Sequence, residues 1–386
     1  MIYEGVNALT GEAVEIEIEQ ARICRVKNIE ASDEHRYLAP GFLDIQVNGY
    51  NGHGYSHEDL SEDTIKKIIS ALDSSGTTQH FPTIVTSPND RMIKNLAVLT
   101  QAVSASEDIA AAVAGIHIEG PYLSPEEGPR GAHDPAYLRD PDFNDFQVWQ
   151  DAAQGLIRLI TLAPERKGAI EFIRKVTSAG VHIAIGHTGA EPACIQEAIE
   201  AGACMTTHLG NGSHSLLPRL KNYIWEQLAA DELAASIICD GFHLPAAVIK
   251  VFKRAKGLEK LILVSDVAYY GGLRPGIYQF DNIDLQVFED GHLGLAGTEF
   301  LAGAAHLLDR DIAHFMACTG CSLAETIPLC TANPSTIMGL PQNYGRIEEG
   351  SPANLVFFDY HEGNGRLDIV RTIRNGKEVF ISGRNA

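Results

Sequence analysis

VHIAIGHTGAEPACIQEAIEAGACMTTHLGNGSH, residues 181–214, reads as a strand, a helix and a second strand in succession. HIAIGH and CMTTHLGN are short β-prone runs that each carry a histidine at the end, and apolar residues recur at helical spacing from Glu191 to Ala201. In a parallel sheet the C-terminal ends of successive strands share one rim, so this unit sets His187 and His208 side by side. Neutral imidazole is the commonest protein ligand for zinc and similar metals. One histidine at a strand end is more often a hydrogen-bonded core residue. Two at the same point of consecutive strands raise a metal site to an equal alternative, and the rest of the chain decides between them.

Seven further runs of the same kind surround this unit. With it they make eight: GFLDIQVNG (41–49), TTQHFPTIV (77–85), AAVAGIHIEG (111–120), LIRLITLAPE (156–165), VHIAIGHTG (181–189), ACMTTHLGN (203–211), ASIICDGFH (235–243) and KLILVSDVA (260–268). Near-continuous apolar strands alternating with amphipathic helices such as Asp63–Ser74 and Pro245–Lys256 predict a parallel sheet covered by helices. Eight units predict an α/β fold, a (β/α)8 TIM-type barrel, over residues 40–344. The two ends differ. VEIEIEQARICRVKNI (14–29) alternates with the period of a half-buried strand pair, and ANLVFFDYHEGNGRLDIVRTIRNGKEVF (353–380) holds short β-rich runs separated by Asn-Gly turns. They predict a small β-sandwich domain built from both termini, residues 1–39 and 345–386, with a boundary near Leu38-Ala39-Pro40-Gly41.

Composition narrows the partners. A net charge of −20 over 386 residues repels phosphate backbones and anionic membranes, so neither nucleic acid nor a membrane is an expected partner, while a local cationic pocket can still hold a small anion. No apolar run is long enough to span a bilayer and the start has no signal-peptide pattern, so the expected location is the cytoplasm. Seven cysteines form no disulfide framework, and Cys318-x-x-Cys321, without a second such pair, reads as two helix residues. GYNGHG lacks the Lys-Ser/Thr of a phosphate loop, and His53 and His57 beside it read as an exposed turn or lid. His182 lies before the centre of its strand and points away from the rim.

Polar residues gather at the ends of the strand runs, where a barrel places its active site. Gln46 and Asn48 end the first, His80 lies within the second and Glu119 ends the third; His187, His208, Asp240 with His243, and Asp266 end the last four. A barrel strand needs no ionisable residue for stability, and a buried carboxylate is costly unless paired or bound to a metal. The rim therefore reads as a metal site.

These residues also carry a resemblance. PGFLDIQVNG (40–49), GIHIEGPYLSPEEGPRGAHDP (115–135), GHTGA (186–190), THLGN (207–211), DGFH (240–243), VSDV (264–267) and NPSTIMGL with GRIEEGSPANLVFFD (within 333–359) are similar to the N-acetylglucosamine-6-phosphate deacetylase family of the amidohydrolase superfamily, across nearly the whole chain. The resemblance implies a metal held by Glu119, His187 and His208. It implies substrate contacts at Ala132 and His133, at Asn211 and Gly212, at Asp240 and His243, and along Leu301-Ala302-Gly303, and the strand-one amides Gln46 and Asn48, poor metal ligands beside histidine, are expected to bond to the substrate or to a water. Most superfamily members carry His-x-His on the first strand; here it is Gln46-Val47-Asn48, which implies one divalent ion per chain, zinc first. The family's DGFH histidine serves a neighbouring subunit, which implies a homodimer. The family arginine that grips the sugar phosphate is missing from NGSHSLLPRLKNYIWEQL (211–228), and Arg219 is its nearest counterpart.

Two imidazoles and a carboxylate with one open position make a common catalytic zinc shell. Asp266, the last polar group of the eighth strand, is placed to take a proton from water and pass it to a leaving amine, and His133 to stabilise the oxyanion. The expected activity is metal-dependent hydrolysis of the N-acetyl group of an amino sugar, N-acetylglucosamine 6-phosphate first. An amidohydrolase for an unphosphorylated or different N-acyl sugar, and a scaffold of this fold without chemistry, are the alternatives. TLAPE (161–165) offers no carboxylatable lysine, which counts against a two-metal cyclic-amide hydrolase.

Overall fold

The apolar runs form eight parallel strands in a computed structural model that describes residues 1–32 and 36–383. They are Phe42–Val47 (β1), Thr77–Val85 (β2), Ile116–Glu119 (β3), Ile157–Leu162 (β4), His182–Ile185 (β5), Ala203–Thr206 (β6), Ala234–Ile237 (β7) and Leu261–Leu263 (β8). Each pairs with its sequence neighbour. Just past β1 and β8 the sheet closes: Val47 bridges Val267, Asn48 N donates to Val267 O at 2.9 Å, and Asp266 N donates to Gln46 O at 3.1 Å. The result is a barrel, and all eight C-terminal ends share one mouth.

Helices cover the outside because their apolar residues repeat at three and four. In Glu62–Asp73, Ile65, Ile68, Ile69 and Leu72 are buried on one face, Ser61 caps Thr64 N, and Glu62 and Asp63 sit favourably in the first turn. That face joins the main core between helices and strands, with Ile84, Met92 and Ile118. The helix Leu308–Thr319 ends at Gly320 in the left-handed conformation, so Cys318 is helical and Cys321 lies just beyond the helix; all seven cysteines are free.

Strands from both ends make a second, seven-stranded sheet, ordered Lys377–Ile381, Asp368–Arg374, Leu355–Asp359, Tyr37–Pro40, Ile2–Asn7, Ala13–Glu19 and Arg22–Asn28. One continuous sheet curls over itself, since Ile23 N donates to Ser351 O at 2.9 Å and Gly350 N to Ile23 O at 2.8 Å, enclosing Ile16, Ile23, Leu355, Phe357 and Ile373. Asn375 and Gly376 both take positive φ, as a two-residue hairpin turn requires. The eightfold pattern does not anticipate a third sheet, Gly276–Phe280, Ile283–Val287 and Leu293–Leu295, inserted between β8 and its helix. Asp281-Asn282 and Asp290-Gly291 between alternating runs are its signal in the sequence.

A buried ion pair ties the terminal sheet to the barrel. Arg374 and Asp73 are each 5% exposed, and Thr372 Oγ1 adds a 2.7 Å bond to the Asp73 carbonyl. Burial pushes the Asp73 carboxyl up to about 6 even beside the guanidinium, so above that pH it is charged and depends on its partner. Arg374→Ala at about pH 8 is expected to cost about 3–5 kcal/mol in denaturant unfolding, since it strands a buried carboxylate. Lys67→Ala, which breaks an exposed pair with Asp63, is the control expected to leave the midpoint in place.

Candidate active site and metal centre

Three residues at the barrel mouth share an uncommon backbone. His187, His208 and Asp266 have φ of +52°, +30° and +50°, in the left-handed region that non-glycine residues avoid. Such strain costs about 1–3 kcal/mol per residue and persists only where neighbours over-determine it. Here they do. Ser124 N donates to His187 O at 3.0 Å, and the Glu165 carboxylate accepts from Thr188 Oγ1 at 2.6 Å and Gly189 N at 2.7 Å. Ser236 Oγ accepts from His208 N at 2.8 Å, and Ala304 N donates to Asp266 O at 2.9 Å.

The side chains converge on Glu119 at the end of β3. Glu119 Oε1 lies 3.2 Å from His187 Nε2, 3.0 Å from His208 Nε2 and 2.9 Å from Gln46 Nε2, and the two imidazole nitrogens are 3.0 Å apart. His187 Nδ1 is 2.8 Å from Pro129 O, and a carbonyl only accepts, so Nδ1 carries a proton; Nε2 faces the cluster and, when it holds none, is free to bind a cation. Ligand atoms about 2.0–2.1 Å from one tetrahedral ion would stand roughly 3.3–3.4 Å apart, close to this spacing. The donor set fits a divalent cation. Burial alone would raise the Glu119 carboxyl, but His187 and His208 hold it well below the usual carboxylate range. His133 Nε2 is 3.3 Å from His187 Nε2, so ligand-type atoms of Glu119, His133 and His187 also fall within 4.8 Å of one another.

Asp266 lies beside this cluster with Asn48 Nδ2 donating to its Oδ1 at 2.7 Å. Burial, then the charge of Glu119, pushes its carboxyl up to about 7. A cavity of 410 Å³ opens over these groups, lined by Asn48, Ala132, His133, Asn211, Gly212, His243, Leu301, Ala302 and Gly303 together with Glu119, His187, His208 and Asp266. Gln46 lies beneath, and Asp240 stands behind His243, whose Nδ1 is 2.9 Å from Asp240 Oδ2. His243 lines the cavity of its own chain.

Other residues singled out in the sequence are placed as follows. Arg219 is exposed and does not line the cavity; among the described residues no arginine or lysine does. His214 is held by Glu126 at 2.8 Å and by the Tyr223 hydroxyl at 3.1 Å. His80 is a core residue bonded to Tyr55 and the Ala112 carbonyl. His57 lies in the cavity wall, stacked on Tyr269 at 3.8 Å and packed on Phe280 at 4.7 Å, and burial holds it neutral, with a pKa lowered to about 4.

Comparison with known proteins places this geometry. The amidohydrolase family model matches residues 37–384. The chain belongs to the amidohydrolase family. It is 30% identical over 382 residues to N-acetylglucosamine-6-phosphate deacetylase of Bacillus subtilis, covering 98% of this chain and 93% of that one. To N-acetylgalactosamine-6-phosphate deacetylase of a Shewanella species it is 32% identical, covering 93% and 92%. The structure of an aspartate-to-alanine mutant of the Mycobacterium smegmatis N-acetyl-D-glucosamine-6-phosphate deacetylase, in complex with N-acetyl-D-glucosamine-6-phosphate, matches with a TM-score of 0.87 at 27% identity, covering 98% and 99%.

Below the mouth of this amidohydrolase lies a polar layer that periodicity does not reveal. His117 Nε2 is 2.7 Å from Thr161 Oγ1, which is 2.6 Å from Thr207 Oγ1. Asp44, fully buried, accepts from Gln46 N at 3.1 Å and from Ser265 N at 3.2 Å, joining β1 to the segment after β8. Burial pushes Asp44 up to about 7, above the ~3.9 of an unfolded chain. The folded state thus holds this proton more tightly, so the Asp44 contribution to stability is full below about pH 4 and falls as pH rises to about 7. Asp44→Asn cannot titrate. Across that window the stability difference is expected to move toward the variant by up to ~1.4 kcal/mol per pH unit in denaturant unfolding. Parallel pH curves for the two proteins would contradict this account.

Proposed function

We propose that this amidohydrolase removes the N-acetyl group of an amino sugar 6-phosphate, N-acetylglucosamine 6-phosphate first, giving glucosamine 6-phosphate and acetate. The observation that carries the reading is a buried Glu119, His187 and His208 cluster beside the buried Asp266, in a chain similar over its whole length to deacetylases of this class.

Glu119, His187 and His208 would hold one divalent ion, zinc in our reading. Such an ion supplies Lewis acidity, lowering the pKa of water toward ~7 and polarising an amide carbonyl. The chain's own groups do the rest. Asp266, oriented by Asn48, accepts a proton from the attacking water and returns it to the leaving amine, the work of a general base and then a general acid. His133 donates to the amide oxygen as negative charge develops there. Ala132, Asn211, Gly212 and the Leu301-Ala302-Gly303 backbone orient the sugar, with His243 held upright by Asp240.

One observation favours a second reading, an unphosphorylated or differently acylated sugar. The far wall of the cavity is aromatic and apolar, with Tyr269, Tyr270, Phe280 and Leu285, and Arg219 stands outside it. A phosphate calls for charge-assisted donors. In the first reading Arg219 turns inward on binding, or a second copy supplies the cation. We propose a homodimer, in which association would cover the exposed Leu216, Leu220 and Trp225. The cytoplasm is the proposed location.

Elemental analysis is expected to find one tightly held equivalent of metal per chain. Glu119→Gln should lose it, while Asp266→Asn should keep it and lose about 10²–10⁴-fold in kcat. N-acetylglucosamine and N-acetylgalactosamine, each with and without the 6-phosphate, separate the two readings: equal kcat/KM with and without phosphate would select the second. For the phosphorylated sugars, Arg219→Ala should raise KM by about 1.5–3 kcal/mol worth of binding if that arginine reaches the phosphate.

A further inference from the structure

Thr86 directly follows β2 and is 2% exposed. Its Oγ1 lies 2.9 Å from His133 Nδ1, and among the described residues this is its only side-chain hydrogen bond. Room for the hydroxyl comes from Gly120, at φ +82°, where a β-carbon would overlap Thr86 Oγ1. On the other side of the ring, His133 Nε2 faces His187 Nε2 at 3.3 Å, with the two rings nearly perpendicular at 81°.

A neutral imidazole carries one proton, and the nitrogen that holds it decides what the residue can do. With the proton on Nδ1, His133 would donate to Thr86, the threonine hydroxyl hydrogen would have no protein acceptor, and Nε2 would be a lone pair able to join Glu119 and His187 as a metal ligand. With the proton on Nε2, the Thr86 hydroxyl donates to Nδ1 and Nε2–H points into the cavity. Only the second arrangement gives the buried Thr86 hydroxyl hydrogen an acceptor, and it leaves Nε2–H free for an acceptor in the cavity.

We propose that Thr86 is a positioning residue that fixes His133 as the Nε2–H tautomer, making His133 a hydrogen-bond donor to the substrate's amide oxygen and excluding it from the metal's ligand set. The donor role rests on the deacetylase reading above; the tautomer does not. A hydrogen bond aimed at developing oxyanion charge accelerates the chemical step more than it tightens ground-state binding.

The test uses zinc-loaded protein labelled with ¹⁵N-histidine, in which the His133 signals are those lost in His133→Gln. The expected spectrum shows a protonated nitrogen at Nε2 and a lone-pair nitrogen at Nδ1; the reverse overturns the proposal. Thr86→Val, close in shape but without the hydroxyl, is expected to mix the two tautomers. It should lower kcat by about 10–100-fold with KM little changed, a loss at or below that of deleting an oxyanion donor outright. Thr86→Ser should restore both the spectrum and the rate. A Thr86→Val enzyme with unchanged tautomer and kcat also overturns it. Because the unsubstituted protein's spectrum decides the tautomer, the proposal stays testable even if Thr86→Val folds poorly. A protein with Nε2–H at His133 but no turnover of any N-acetylhexosamine would uphold the Thr86 assignment and refute the deacetylase reading.

Discussion

The barrel is closed by a seam between its first and last strands, and the site depends on that seam. Asp44 accepts from Gln46 N on one side and Ser265 N on the other, Asp266 N donates to Gln46 O, and Val47 bridges Val267. Segments more than two hundred residues apart in sequence are thereby held in register. On one side Gln46 reaches Glu119 and Asn48 reaches Asp266; on the other, Asp266 is turned into its left-handed conformation. If the seam opened, both carboxylates would lose their orienting amides together.

The two carboxylates show how placement sets chemistry. Glu119 and Asp266 are both buried, and burial raises both. Glu119 has two imidazoles and the Gln46 amide against it, and its charged form wins. Asp266 has one amide and the charge of Glu119 nearby, and it is left near neutrality. One group is thereby suited to holding a cation and the other to moving a proton, and it is environment that separates them. The strained backbone at His187, His208 and Asp266 belongs to the same design, because each is pinned by bonds to a neighbouring strand or loop that leave it little freedom.

The far wall of the cavity is built by a different layer. The sheet inserted after β8 brings Phe280 and Leu285 to the cavity, where they meet Tyr269, Tyr270 and His57. This wall is independent of the strand ends and offers shape and apolar surface, while the chemistry sits on rigid strands opposite. The division matches the general logic of barrels, in which loops vary substrate while strand ends keep the reaction.

Much was legible in the order of residues alone, because strand and helix periods are local. Eight apolar runs with helices between them specify a barrel, and a barrel puts strand ends on one rim; Glu119, His187, His208 and Asp266 could be named as neighbours on that ground and by resemblance. Which loops fold over the mouth is decided by long-range packing. His57 sits in a polar, glycine-rich stretch that reads as an exposed turn, and only its stacking on Tyr269 and Phe280, more than two hundred residues away, brings it to the wall. Arg219 reads as free to reach inward, yet it stays outside the cavity in the fold. Asp44 looks like an ordinary mid-strand polar residue and Thr86 like one just past a strand, and their partners, Ser265 and His133, are remote in the chain. Sequence determined the scaffold, since periodicity and βαβ geometry suffice for it, and together with the family resemblance it pointed to the strand ends where a site could lie. The tertiary structure alone decided the lining of the site and the partners of its ionisable groups, because those follow from contacts between segments that no local pattern relates.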